Sequence, residues 1–447
     1  MISAMNDGGG HDLGATFLDL AVGGSEDLQI RDEVHRLARD VIRPAARVLD
    51  RMSPQQRVEP SSPLHAALGR LKELGYHRLF LAPDQGGPED GVTAATQAVV
   101  LEELGWGSLG LATSFLVDLM PFVSIAMFGT EELRRELLVP WAEDTTGSLR
   151  GCWAITEPDH GSDFLGLRHD GSTPPKGQLI ATREEGGWRL AGQKSAWVSS
   201  APVATHAAVH AQAGADGDIL HSFFAVVPLD APGIARGTPA AMLGARDDPQ
   251  GEIFFDGAFV PDSHVLVAPG PAYPVFGDQL LCMTSAIIAQ VAVGVARAAF
   301  EEALAHARAR VQGGSVIAAH KNVQLTLYGM FEKVEAARAY SRLALAHVQQ
   351  TSMLGAGAAG TGASPRHTRA AQIFAKRVAF EVANDAVQVC GAFGLSEESL
   401  TEKLLRDARC LLIEDGTLEV LALDAARDVI ANYESPTYKM EEVMARW

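Results

Sequence analysis

Cys152-Trp153-Ala154-Ile155-Thr156-Glu157-Pro158-Asp159-His160-Gly161-Ser162-Asp163 is the stretch that decides how this chain is read. An apolar, strand-like run stops at Pro158, which cannot supply a ladder hydrogen bond, and small polar residues follow. Gly161 reaches backbone angles closed to other residues, so Thr156, Gly161 and Ser162 offer hydroxyls and bare amides on a firm support. A bound anionic or heteroaromatic cofactor needs such a lining. An ordinary surface turn has the same composition.

Upstream, apolar residues recur at helical spacing over 26–49 (Ile30, Val34, Leu37, Ala38, Val41), behind Ser25 as a plausible cap. Further helices are predicted over 64–74, 91–105, 109–128 and 130–141, with Glu102 and Glu103 near the end of the third of these five. From about 149 short β-type runs take over, at 151–155, 178–183, 187–190, 205–211, 222–228 and 252–255. The helical pattern returns at 279–310, 320–350, 367–393 and 417–432, interrupted by a small-residue loop at 355–364. The fold class is α+β, mostly α: a flexible N-terminus at 1–24, a helical unit at 25–148, a β unit at 149–268 and a second helical unit at 269–447. The long C-terminal helices are apolar around much of their circumference, which predicts packing against other copies of the chain.

The 447 residues are 47% hydrophobic and 21% charged, as in globular proteins with a large core. A formal charge of −18 with no basic run disfavours non-specific nucleic-acid binding. Cys152, Cys282, Cys390 and Cys410 are far apart, which predicts free thiols in a reducing compartment and a cytoplasmic protein without a signal peptide. The longest apolar stretch, 286–296, contains Gln290 and is too short to span a bilayer. His206 and His210 share one face of a strand and, lacking a third ligand, read as a sheet surface rather than a metal site.

Residues 156–163 match the pattern Thr-Glu-Pro-x-x-Gly-Ser-Asp, and further motifs follow in order across about residues 25–435. Together they resemble the acyl-CoA dehydrogenase superfamily. That resemblance implies a helical domain, a small β domain and a C-terminal four-helix bundle, assembled as a dimer of dimers with FAD between domains and across a subunit boundary. It also implies removal of two hydrogens from an acyl thioester, with electrons leaving to an electron-transfer flavoprotein.

The family's base lies in Tyr-Glu-Gly-Thr after Arg-Asp-Ala; here Arg406-Asp407-Ala408 precedes Glu414-Asp415-Gly416-Thr417. Register on Gly-Thr puts Asp415 at the base position. Asp is one methylene shorter than Glu, about 1.5 Å of reach. Three readings stay open: Asp415 as base on a closer backbone, Glu414 in its place, or another native reaction; Asp415 as a helix N-cap is the bland alternative. The resemblance further assigns Trp153, Ile155, Thr156, Gly161, Ser162, Trp197, Ser199, Thr417 and Glu419 to the flavin, although 194–197 runs one residue longer than usual. It assigns Arg310, Gln312 and His320 to a neighbouring subunit's FAD, and Gln388 and Gly391 to the adenosine half. Ser162, Thr284, Ser285 and Gly416 fall on the substrate, whose pocket is placed near Leu101–Leu104 and Trp106. A basic residue usual for the CoA portion is missing from 282–285, which opens the way to a carrier-protein thioester or a non-thioester substrate. Asp at the base position and the wording of 294–304 also resemble nitroalkane oxidase. Losses at Gly313, Lys321 and Ser285 motivate a third reading, a non-catalytic subunit paired with an active paralogue.

Overall fold

The computed structural model describes residues 25–162, 177–214, 218–351 and 362–433. The N-terminal segment 1–24, Asp163 and most of the predicted loop at 355–364 lie outside them. Helix α1 (Ser25–Leu37) runs through a π turn (Ala38–Ile42) into α2 (Arg43–Arg51), where one helix is predicted. Pro44 has no N–H to give, and the wider turn directly precedes it. There follow α3 (Pro63–Glu73), α4 (Ala94–Gly107, capped by the Thr93 hydroxyl) and α5 (Leu109–Phe128).

The β layer holds β1 (Gly151–Ala154), β2 (Ile180–Glu184), β3 (Gly187–Ser199), β4 (His206–Gln212), β5 (Ser222–Pro228), β6 (Ile234–Arg236), β7 (Gln250–Pro261) and β8 (Val265–Val267). Among the described residues they form one sheet in the order β6-β7-β3-β2-β4-β5-β8, with β1 parallel to β4. Ala207, Val209 and Ala211 of β4 face the sheet's own core, while Ala208 faces a cluster with Met120 of α5, Phe276 and Leu280. Both faces of β4 are therefore buried, so His206 and His210 are not on a sheet surface as predicted. His210 instead bonds Tyr273 Oη through Nδ1 (2.7 Å) and accepts from Trp153 Nε1 (2.9 Å); His206 Nδ1 pairs with Thr205 Oγ1.

The C-terminal unit is α6 (Ala272–Ala309), a β9–β10 hairpin (Val311–Gln312, Ser315–Val316), α7 (Lys321–Thr351), α8 (Pro365–Cys390), α9 (Leu400–Leu411) and α10 (Leu418–Asn432). Helices α5 and α6 are long and apolar enough to cross a membrane, which the continuous apolar run at 286–296 did not suggest. Their apolarity is spent inside the protein: 72% and 78% of the most apolar windows are buried.

Two glycines let α4 and α6 meet backbone to backbone. A Cβ at Gly294 would lie 2.1 Å from Glu102 O, and one at Gly105 would lie 2.2 Å from Val291 O. Beside this contact Glu102 is buried among Arg297 (Nη1, 2.8 Å), Arg338 (Nε, 3.0 Å) and Arg342. Burial opposes its charge, yet the guanidiniums hold its carboxyl well below the usual range. Gly294→Ala should force the helices apart and lower the unfolding free energy by about 1–3 kcal/mol, read from urea denaturation.

Candidate active site

Asp415 sits in the turn between α9 and α10 with φ +52°, a left-handed conformation that costs an L-residue energy and persists only where surroundings hold it. Gly416, φ +92°, completes the turn. The holding comes from α8, whose Arg369, Gln372 and Lys376 fall at i, i+3 and i+7 on one buried face. Gln372 Nε2 donates to Asp415 O (3.1 Å), and Lys376 Nζ donates to the carbonyls of Glu414 and Gly416. Thr417 is the N-cap residue of α10, so the bland reading of Asp415 as the cap does not hold.

The two adjacent carboxyls differ. Asp415 is exposed and stands in the lining of a cavity. Burial raises its pKa and Lys376 opposes the rise. Glu414 does not line the cavity; both of its oxygens are buried without a hydrogen-bond partner among the described residues. Burial first, then the charges of Asp248 and Asp415, push its carboxyl up to about 8. Asp248, which accepts from Ser114 Oγ (2.8 Å), is itself pushed up to about 7 by burial.

The cavity holds about 630 Å³ between α5 and α6. Leu116, Val117 and Val123 line one wall, Met283, Thr284 and Ile287 the other, and Trp153 and Asp415 stand among the lining. Gln97 and Gln349 also line it and bond each other (2.8 Å). The predicted pocket residues Leu101–Leu104 and Trp106 do not line it: the leucines pack in the core, Glu102 and Glu103 join the arginine cluster, and the Trp106 indole donates to Glu301. Thr284 faces the cavity and Ser285 does not. One residue on a helix turns the side chain by about 100°, and the Ser285 hydroxyl instead accepts from Arg369 Nη1 (2.7 Å) in the interior.

The two segments assigned to a flavin meet. Register between β3 and β7 breaks between Lys194 and Val198, where three β3 residues face a single β7 residue. This bulge absorbs the extra length seen in the sequence and leaves Trp197 60% exposed. It docks on the end of β1 through Thr156 Oγ1–Ser195 Oγ (2.6 Å) and Ser195 N–Thr156 O (3.0 Å). Beneath it Glu157 is buried between Lys194 Nζ (2.6 Å) and His160 and accepts from Leu179 N; burial opposes its charge, but these contacts hold its carboxyl at about 2. Ser199 pairs with Asp248, while Ile155, Gly161 and Ser162 are half-buried.

Arg310, Gln312, His320, Gln388 and Gly391 form no part of the cavity wall. His320 Nε2 bonds Gln312 O (2.9 Å) and Arg310 Nη2 bonds Gln312 Oε1 (3.1 Å), tying the β9–β10 hairpin to the start of α7. Gln388 and Gly391 are exposed at the end of α8, and Glu419 is exposed on α10. Sequence reasoning passed over Lys376, Gln372 and Arg369. Their signal was present, as polar residues at helical spacing within an otherwise Ala- and Val-rich face.

Models of three domains of acyl-CoA dehydrogenases match the chain: N-terminal over 24–145, middle over 152–258 and C-terminal over 279–430. Benzylmalonyl-CoA dehydrogenase of Aromatoleum aromaticum is 31% identical over 90% of this chain and 98% of its own. Cyclohex-1-ene-1-carbonyl-CoA dehydrogenase of Syntrophus aciditrophicus is 29% identical over 83% of each. An active-site mutant of nitroalkane oxidase crystallised with 1-nitrooctane superposes with TM-score 0.81 over 92% of this chain and 97% of that one; at 18% identity the likeness is one of fold.

Glu414 keeps its proton in the folded protein up to about pH 8, whereas the unfolded chain releases it near 4.5. Stability from this group is intact below the lower value and is lost as pH rises toward the upper one. Glu414→Gln removes that dependence, so urea midpoints of the variant should fall less than wild type between about pH 5 and about pH 8.

Proposed function

From membership of the acyl-CoA dehydrogenase family, to which this chain belongs, we propose that the protein is a FAD-dependent oxidoreductase. In this reading it removes two hydrogens from neighbouring carbons of an acyl thioester, with Asp415 as the base. The observation that carries the reading is the contrast at 414 and 415. Asp415 is the carboxyl at the cavity wall, while the Glu414 carboxyl is shut inside and protonated at neutral pH. The left-handed backbone at Asp415 supports a re-aimed, shorter carboxylate in place of the usual Glu.

The residues present fit FAD. An indole exposed at 60% stands on the same bulge as the Ser195 hydroxyl, with Thr156 against it and Ser199 two residues on, which suits a flat ring with polar edges. When bound, FAD supplies the acceptor for the β-hydride. The chain's own part is to seat the acyl group along the apolar cavity and to take the α-proton at the Asp415 carboxylate. That proton is acidic enough only if the thioester carbonyl is polarised, a role we assign to Ser162 and Gly416. A cavity of about 630 Å³ favours a long or bulky acyl group over a short one.

Arg369 brings no charge to the substrate's carrier. Its guanidinium is fully buried and engaged by Leu281 O, Ser285 and Asp424. Both a CoA ester and a carrier-protein ester therefore fit. Exposed Leu325, Tyr328 and Leu343 on α7 and Ile430 on α10 support a homo-oligomer. Reoxidation by an electron-transfer flavoprotein, and a division into units at 148/149 and 268/269, belong to the same reading.

The test is anaerobic. Butyryl-, octanoyl-, palmitoyl- and 3-phenylpropionyl-CoA are each added to the yellow protein, and one of the larger three should bleach it. Asp415→Asn should slow that bleaching by about 100-fold or more with flavin retained, and Glu414→Gln should leave most of it. Undiminished bleaching by Asp415→Asn overturns the assignment. Asp at the base position favours one second reading, a nitroalkane oxidase activity, for which nitroethane would bleach the protein and no acyl-CoA would.

A further inference from the structure

Lys376 is fully buried in α8, and its ammonium donates to two carbonyls of the turn that carries the proposed base. A lysine in such a place costs desolvation, and that cost brings its pKa down to about 8, against the attraction of Asp415 first and Glu414 second. Two backbone carbonyls do not call for an ammonium; an amide would serve as donor, as Gln372 does one turn earlier at Asp415 O. The charge therefore needs a separate account.

The groups facing it supply one. From the turn come Asp415 and Glu414, and from its own helix Arg369, whose guanidinium is engaged by Asp424 and Ser285. Burial first, then Asp248, Asp415 and Asp407, push the Glu414 carboxyl up to about 8, so it holds its proton at neutral pH. Asp415 is then the acidic neighbour that most favours the ammonium of Lys376, and Lys376 in turn opposes the rise that burial imposes on the Asp415 carboxyl. We propose that Lys376 is the positioning residue of the base: bonded to the carbonyls on both sides of Asp415, it holds that residue left-handed with its carboxyl at the cavity, and its ammonium favours the carboxyl's charged form. This inference rests on the reading of Asp415 as base, and it adds the device that lets a shorter carboxylate do that work.

The test is an infrared pH titration of the purified holoenzyme, following the carboxyl band that disappears in Asp415→Asn. In Lys376→Met and Lys376→Gln the midpoint should rise by about one pH unit or more, a tenfold weaker acid. Lys376→Arg should restore it. Gln372→Leu frees the Asp415 carbonyl but leaves the charge in place, and should leave the midpoint near wild type. Should the Lys376 variants fail to fold, reciprocity gives a second measurement in Asp415→Asn. There the Lys376 amine, followed by carbon NMR of labelled lysine, should titrate lower by the same amount. An unmoved midpoint in the neutral variants, or an unmoved Lys376 titration in Asp415→Asn, overturns the proposal. Neither outcome touches the base assignment, which stands or falls on the bleaching rate of Asp415→Asn.

Discussion

The meeting of Glu102 with Arg297, Arg338 and Arg342 is the contact on which the architecture depends, because it ties α4 of the N-terminal unit to α6 and α7 of the C-terminal one. Charges buried in this way need not add net stability, since desolvation consumes much of the Coulombic gain. They do exclude other packings, because each slipped register would strand a guanidinium inside. Gly105 and Gly294 bring the two backbones close enough for the contact to form. Glu103 extends it to His35 of α1, and Trp106 is covered by Arg43 of α2. The wall of α6 facing the cavity inherits its direction from this junction.

A second set of buried charges serves chemistry more than architecture. The polar face of α8 could have been apolar, as a helix packed against four others usually is. It instead spends Gln372 and Lys376 on the carbonyls of one turn, and Arg369 on α6 and α10. Their combined effect is to separate two neighbouring carboxyls. Glu414, enclosed near Asp248, is kept neutral, while Asp415 shares its surroundings with an ammonium and opens on the cavity. Environments that push adjacent titratable groups apart are what assign acid and base roles within one site.

The β layer treats an irregularity in the chain in a similar way. The extra length between Lys194 and Trp197 is not spread along β3; it collects in one bulge where pairing with β7 lapses. The bulge is pinned to β1 by Thr156 and Ser195, while the buried Glu157–Lys194 pair fixes the strand ends beneath it. A departure from the familiar spacing thus becomes an outward-facing indole rather than a lost contact.

Local signals carried much of this. Periodicity placed α5 and most of α6, α7, α8 and α10, because long amphipathic or apolar runs report their own conformation. The Pro158–Ser162 loop and the Asp415-Gly416-Thr417 turn were legible as motifs, being short and contiguous. What sequence could not tell was the partner of each buried group. His206 and His210 read as surface because a strand's period says which residues share a face and nothing about what covers it. Glu102 and Leu104 read as pocket, and Ser285 as a substrate contact, because neither linear position nor helical phase says which neighbour lies opposite. Lys376 drew no notice, and Glu414 stayed open as an alternative base, since the pKa of a buried group is set by charges from elements distant in the chain. Sequence by itself determined the elements and the chemistry they carry; tertiary structure decided which carboxyl meets the cavity, because burial and Coulomb interactions act through space and not along the chain.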